Sequence, residues 1–431
     1  MKRAILLLSI LFSQPVLAQH TPITTSESAS YFKEIKKATK RNISLWNKNL
    51  YGNILLVDPQ TRQVFSNSPD SGGLLNSHDD IYIGKLPENI NIANTSISWS
   101  GKNWAMLMLP LPDDKHDRIN LLAHELFHNA QHQLGFQQFN TESNHLDVKD
   151  GRIYLRLELE ALKMALLAKS AQQQRIHLSN AFLFRQHRNF LFPNSNILEN
   201  QLELNEGIAE FTGLIMSGRS HKEMVQHLEK EINTFFFNPT YIRSFAYCTT
   251  PVYGYLSYQK NKNWNKHIHS KTNLNELFIK QFQINLTTND EKTIVRNAND
   301  YNGQVILQEE AIREENLRRK LAEYDSKLVV QPHLEISLKK MNVSFDPRTI
   351  IPLKDKGTVY PTIRIVDVWG TLEVKKNGAL MSPNWNKISI TIPTGISADQ
   401  AEGDGWVLKL NPGYVIKKNE KTDTYILIKI E

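Results

Sequence analysis

Apolar positions along the chain change their period several times. Over residues 31–48 they recur at the three-and-four spacing of an amphipathic helix whose outer face is basic. Short runs rich in β-branched and aromatic residues follow at 54–57, 63–65, 81–83 and 96–99, with Asp58-Pro59 and Ser71-Gly72-Gly73 as turns. The strongest strand of this region covers 104–111 and is closed by Pro110, Pro112 and Asp113-Asp114. From Asp117 to about Ser217 the period returns to that of a helix. Helices are predicted around 121–134, from 154 to about 173 and over 197–216, broken at Gly135 and at Phe192-Pro193-Asn194. Residues 274–282 and the charged stretch 305–328 continue the helical series. Beyond about Pro332 the alternation of strands returns at 362–366, 388–392 and 425–428, with turns at Lys376-Asn377-Gly378 and Asn411-Pro412-Gly413.

This pattern predicts an α+β chain. Residues 1–18 read as a leader, 19–116 as a mixed helix and sheet, 117–330 as a helical part and 331–431 as a compact all-β module. The leader has its own grammar. Lys2 and Arg3 precede a short apolar run that ends in Val16-Leu17-Ala18, the three-part pattern of a secretory signal cleaved after Ala18. An exported protein, periplasmic or extracellular, is therefore expected, and no later stretch has the length of a transmembrane helix. The only cysteine, Cys248, cannot form an intramolecular disulfide, and with none directly after the cleavage point a lipid anchor on cysteine is not expected. The net charge of +7 is spread over many residues without interleaved aromatics, so a nucleic-acid partner is not expected either. Nothing in the chain fixes an oligomeric state.

Candidate chemistry enters at His124-Glu125-Leu126-Phe127-His128. On a helix, positions four apart share a face, so His124 and His128 can offer imidazole nitrogens to one Zn²⁺ while Glu125 projects beside them as general base. Leu121, Leu122, Leu126 and Phe127 give that helix an apolar face to bury. A catalytic zinc needs a third protein ligand. Leu204-Asn205-Glu206-Gly207-Ile208-Ala209-Glu210 offers Glu206, with Glu210 one helical step on to hold an imidazole by its second nitrogen. Glu160 in Arg156-Leu157-Glu158-Leu159-Glu160 is the rival ligand. As a supporting residue it would brace an imidazole or pair internally with Arg156, one turn back. Glu199 and Glu203 extend the acidic stripe and read as solvated, and His187 reads as exposed.

His124-Glu125-x-x-His128 followed by Asn205-Glu206-Gly207-x-Ala209 resembles the gluzincin zinc peptidases, the thermolysin and aminopeptidase group. The resemblance covers the stretch from Trp104 to Phe211, and the 77 residues between His128 and Glu206 exceed the aminopeptidase spacing. It implies a zincin-like catalytic part, a zinc-activated water, and a peptide or protein substrate laid along an edge strand, for which 104–108 is the candidate. It also calls for a donor to the oxyanion. Tyr253 is the first choice, between Pro251 and Gly254, and Tyr247 the second. A zinc hydrolase of a non-peptide amide or ester, and an exported binding protein without catalysis, are the competing expectations.

Overall fold

The computed structural model describes residues 23–88, 90–137, 139, 141, 143–286, 290–345, 349–420 and 422–430. The expected export signal at 1–18 lies outside them. The chain divides into two compact units. One holds residues 23–139, Leu204–Met224 and Gly254–Thr272; the other holds 140–203, 225–253 and 273–430.

The first unit begins with α1 (Thr25–Arg41), whose Thr24 and Glu27 exchange hydrogen bonds in a capping box, and with the short α2 (Ile43–Trp46). Six strands follow: β1 (Ile54–Val57), β2 (Gln63–Ser66), β3 (Leu75–His78), β4 (Ile81–Lys85), β5 (Thr95–Trp99) and β6 (Lys102–Met108). They form one sheet in the order β3-β4-β2-β1-β6-β5, with only the β1–β6 pair parallel. Leu55, Val57, Trp104 and Met106 meet on one face, while Ile54, Leu56, Ala105 and Leu107 are equally buried on the other. Burial on both faces is why these two strands read as continuous apolar runs. Strand β6 is therefore interior, lying between β1 and β5, and the edge-strand expectation for 104–108 is corrected: β5 is the edge.

Helix α3 (Lys115–Ala130) starts at Asp114, whose carboxylate accepts from the Asp117 amide, and packs on β5 and β6. Its Leu122, Ala123, Leu126 and Phe127 are fully buried, and the leucines and the phenylalanine contribute about 1.5–3 kcal/mol each. The chain then runs through α4 (Lys149–Leu167), α5 (Ala171–Leu191), α6 (Ser195–Leu202), a π-helical turn at Glu203–Gly207, and α7 (Ile208–Ser217). Helix α7 lies along α3. The two approach so closely that a Cβ on Gly213 would stand 2.5 Å from the backbone oxygen of Asn120.

In the second unit the expected helix over 154–173 is instead two. Ser170 caps a new helix by accepting from the Gln173 amide, so α4 ends before it and α5 begins. Later helices are α8 (His221–Phe235), α9 (Ala246–Lys260), α10 (Leu274–Phe282), α11 (Glu291–Ala298) and α12 (Gly303–Asp325). Strands from His333 to Lys429 build a seven-stranded and a six-stranded sheet that share a core of Leu334, Ile336, Ile365, Leu372, Ile388, Ile390, Trp406 and Leu408. The Asn377-Gly378 turn works because both residues take left-handed backbone angles, φ 64° and 68°. Tyr324 and Leu328, at the end of α12, pack with Leu353, Val359 and Leu380 and join the helices to the sheets. Among the described residues no helix is long and apolar enough to cross a membrane.

Candidate metal centre

The first unit brings His124 and His128 of α3 together with Glu206 of the π-turn, and this group could hold a metal ion. The two Nε2 atoms are 3.1 Å apart, and Oε2 of Glu206 lies 3.5 Å from that of His124 and 3.3 Å from that of His128. The three donor atoms thus converge on one point. Their other polar atoms are tied back. Nδ1 of His124 is 2.9 Å from Oε2 of Glu210, whose Oε1 accepts from Asn120 at 2.7 Å. Nδ1 of His128 is 2.9 Å from Oε1 of Gln131, Nε2 of Gln131 donates to Asn205 at 2.9 Å, and Asn205 donates to Oε1 of Glu206 at 3.0 Å.

Burial opposes charge on His124, but the hydrogen bonds to Glu206 and Glu210 outweigh it and hold its pKa up at about 10. Glu125 is only 5% exposed, and burial raises its carboxyl pKa against the lowering influence of the two histidines. Its Oε2 has no hydrogen-bond partner among the described residues. A buried carboxylate with one unpartnered oxygen, beside two imidazoles, could accept a proton.

The π-turn decides which acids face this group. An unbroken α-helix would carry Glu199, Glu203, Glu206 and Glu210 on one stripe. One extra residue in a turn rotates the rest of the helix by roughly 100°. Glu206 and Glu210 accordingly turn to the histidines, while Glu199 and Glu203 go elsewhere, which corrects the solvated reading of both: each is 1% exposed. Within the second unit, Arg185 grips Glu203 with two bonds of 2.7 and 2.9 Å, and Arg188 grips Glu199 at 2.6 and 2.8 Å. Both arginines also bind Glu158. Burial would raise the Glu199 carboxyl, yet Arg188 and His145 hold it well below the usual carboxylate range.

Three further expectations change. Tyr253 is fully buried, and its hydroxyl donates to Glu158 at 3.0 Å beneath stacked Phe182 and Phe278. It has no surface from which to reach a substrate oxygen, so it is withdrawn as oxyanion donor; Tyr247 is 39% exposed. Glu160 braces no imidazole: it pairs with Lys163 at 2.9 Å and with Asn302, while Arg156 pairs with Glu309 and Glu310 instead. His187 is buried against the ring of Tyr154. Gln131, Asn205 and Asn120 escaped the sequence reading as ligand supports. Only the three-residue step from His128 to Gln131 signalled one of them.

No protein family, curated protein or solved structure matches this chain. The role of the centre must be read from its own chemistry.

Proposed function

We propose that the chain is an exported zinc metallohydrolase of the gluzincin kind, acting on peptide bonds with Glu125 as general base. One observation carries the reading. Tetrahedral zinc with bonds of about 2.0–2.1 Å sets its ligand atoms roughly 3.3–3.4 Å apart, and the three donor atoms of His124, His128 and Glu206 lie 3.1, 3.3 and 3.5 Å apart. Two imidazoles with one carboxylate suit zinc, whereas calcium and magnesium sites are built from oxygen. Three protein ligands leave a tetrahedral ion one position short, the signature of a catalytic rather than a structural site.

Zinc held by His124, His128 and Glu206 would supply Lewis acidity to a bound water and to the scissile carbonyl. Glu125 takes the proton, for which its raised affinity and unengaged Oε2 suit it, and returns it to the leaving amine. Glu210 and Gln131 keep the imidazoles turned with Nε2 inward. The substrate rest is the outer edge of β5, beside α3, where an extended peptide can add as a further strand through backbone hydrogen bonds.

The test is digestion of a peptide library by the purified protein with and without a zinc chelator. Chelator-sensitive cleavage by wild type that disappears in Glu125→Gln, with zinc still bound, is the expected result. Hydrolysis of esters or non-peptide amides alone would move the substrate class, and a chain without stoichiometric zinc would end the reading.

A further inference from the structure

We infer that Gln131 and Asn205 form a directional amide relay that couples two metal-holding side chains, His128 and Glu206, and that both are positioning residues for the ion. The inference rests on the zinc reading above. It concerns only how this chain aims its ligands.

The relay runs one way. A primary amide has one acceptor oxygen and one donor nitrogen. Because Nε2 of Gln131 donates to Oδ1 of Asn205, Oε1 of Gln131 is left for His128. An accepting oxygen at Nδ1 requires the hydrogen there, so the lone pair of His128 sits on Nε2, the atom nearest His124 and Glu206. At the far end Asn205 presents Nδ2 and engages Oε1 of Glu206, leaving Oε2 as the atom that faces both imidazoles. One chain of three hydrogen bonds therefore sets the tautomer of one ligand and selects the coordinating oxygen of another.

Burial gives the relay its force. Gln131 is 1% exposed and Asn205 7%, so water competes weakly for their amides, and reversing either one would set oxygen against oxygen and nitrogen against nitrogen. The two residues also bridge separate elements: Gln131 follows α3, while Asn205 lies inside the π-turn with Glu206. The relay thereby locks the turn that carries the third ligand to the helix that carries the other two. The two imidazoles are supported unequally. His124 leans on the carboxylate of Glu210, His128 on a neutral amide, so the centre gains orientation at His128 without a further negative charge beside Glu125, Glu206 and Glu210.

The experiment compares wild type with Gln131→Met, which keeps volume but no donor or acceptor, with Asn205→Ala, and with the double variant. The zinc dissociation constant is read by competition with a chromophoric chelator, and the cobalt(II)-substituted proteins are read by their visible absorption, which reports ligand geometry and not fold stability. Each single change is expected to weaken zinc by about 10- to 100-fold and to alter the cobalt spectrum. The double variant should lie within about threefold of the weaker single, because a series relay is broken once. Zinc constants within twofold of wild type, or losses that multiply in the double variant, would overturn the relay while leaving the zinc reading intact. Failure of wild type to take up one equivalent of zinc would remove both.

Discussion

Gly213 offers the sharpest test of how the centre is held. Alanine there would set a methyl carbon 2.5 Å from the backbone oxygen of Asn120 and closer still to its side-chain oxygen. The side chain could swing aside, but the carbonyl is part of α3 and cannot. Restoring ordinary contact at 3.4 Å or more requires α7 to back away from α3 by about 0.9 Å, and overpacking of this kind costs roughly 1–3 kcal/mol. The displacement acts where it matters, since Asn120 also orients Glu210 and Glu210 orients His124. Edges of 3.1–3.5 Å among the three candidate donor atoms would not survive a displacement of this size with good coordination of an ion. Gly213→Ala should therefore lower the melting temperature and weaken zinc by at least about tenfold, in line with the loss of a supporting contact. Thermal denaturation and chelator competition measure the two effects. A variant that keeps both wild-type stability and wild-type zinc affinity would show that α3 and α7 are not so tightly pressed, and the argument from close approach would fail.

Other outcomes depend on the same geometry. Glu206→Ala should lose zinc while Glu160→Ala retains it; the reverse result in metal analysis would reinstate Glu160 as the ligand. Tyr253→Phe removes a buried donor to Glu158 and should cost about 1 kcal/mol in denaturant unfolding with kcat changed by less than about threefold, whereas a loss of about a hundredfold or more in kcat is what removal of an oxyanion donor produces. Glu199, with a folded-state pKa depressed below its ordinary 4.5, contributes stability that is present above that value and is lost as pH falls through and below it. Unfolding free energy measured from pH 6 downward should thus decline on acidification, and the decline should be shallower in Glu199→Gln; equal slopes would deny the linkage.

Much of the centre was legible because it is local. The pairing of His124 with His128 needs only the pitch of a helix, and the apolar Leu122, Leu126 and Phe127 on that helix announced that it is buried. Strands β1 and β6 were visible as apolar runs between turns, and the α+β sequence of helices followed by C-terminal strands came from the change of period. The break at Ser170 was written in a capping residue but hidden by an unbroken helical period on either side. Fully buried Arg185, Arg188 and Glu158 were illegible for another reason: charged residues are read as solvated unless the partner that neutralises them is known, and those partners lie 11 to 30 positions away.

The sequence by itself determined the elements, the two imidazoles on one helical face and the pool of acids available to join them. Tertiary structure decided which acids face them. A single extra residue in the turn at Glu203–Gly207 divides four glutamates spaced for one helical stripe into two pairs, one aimed at the histidines and one at buried arginines. Tertiary packing also decided that Tyr253 is sealed away and that β5, not β6, has a free edge. Periodicity records what lies within a few residues along one element; which faces of distant elements meet depends on packing and burial summed over the whole fold.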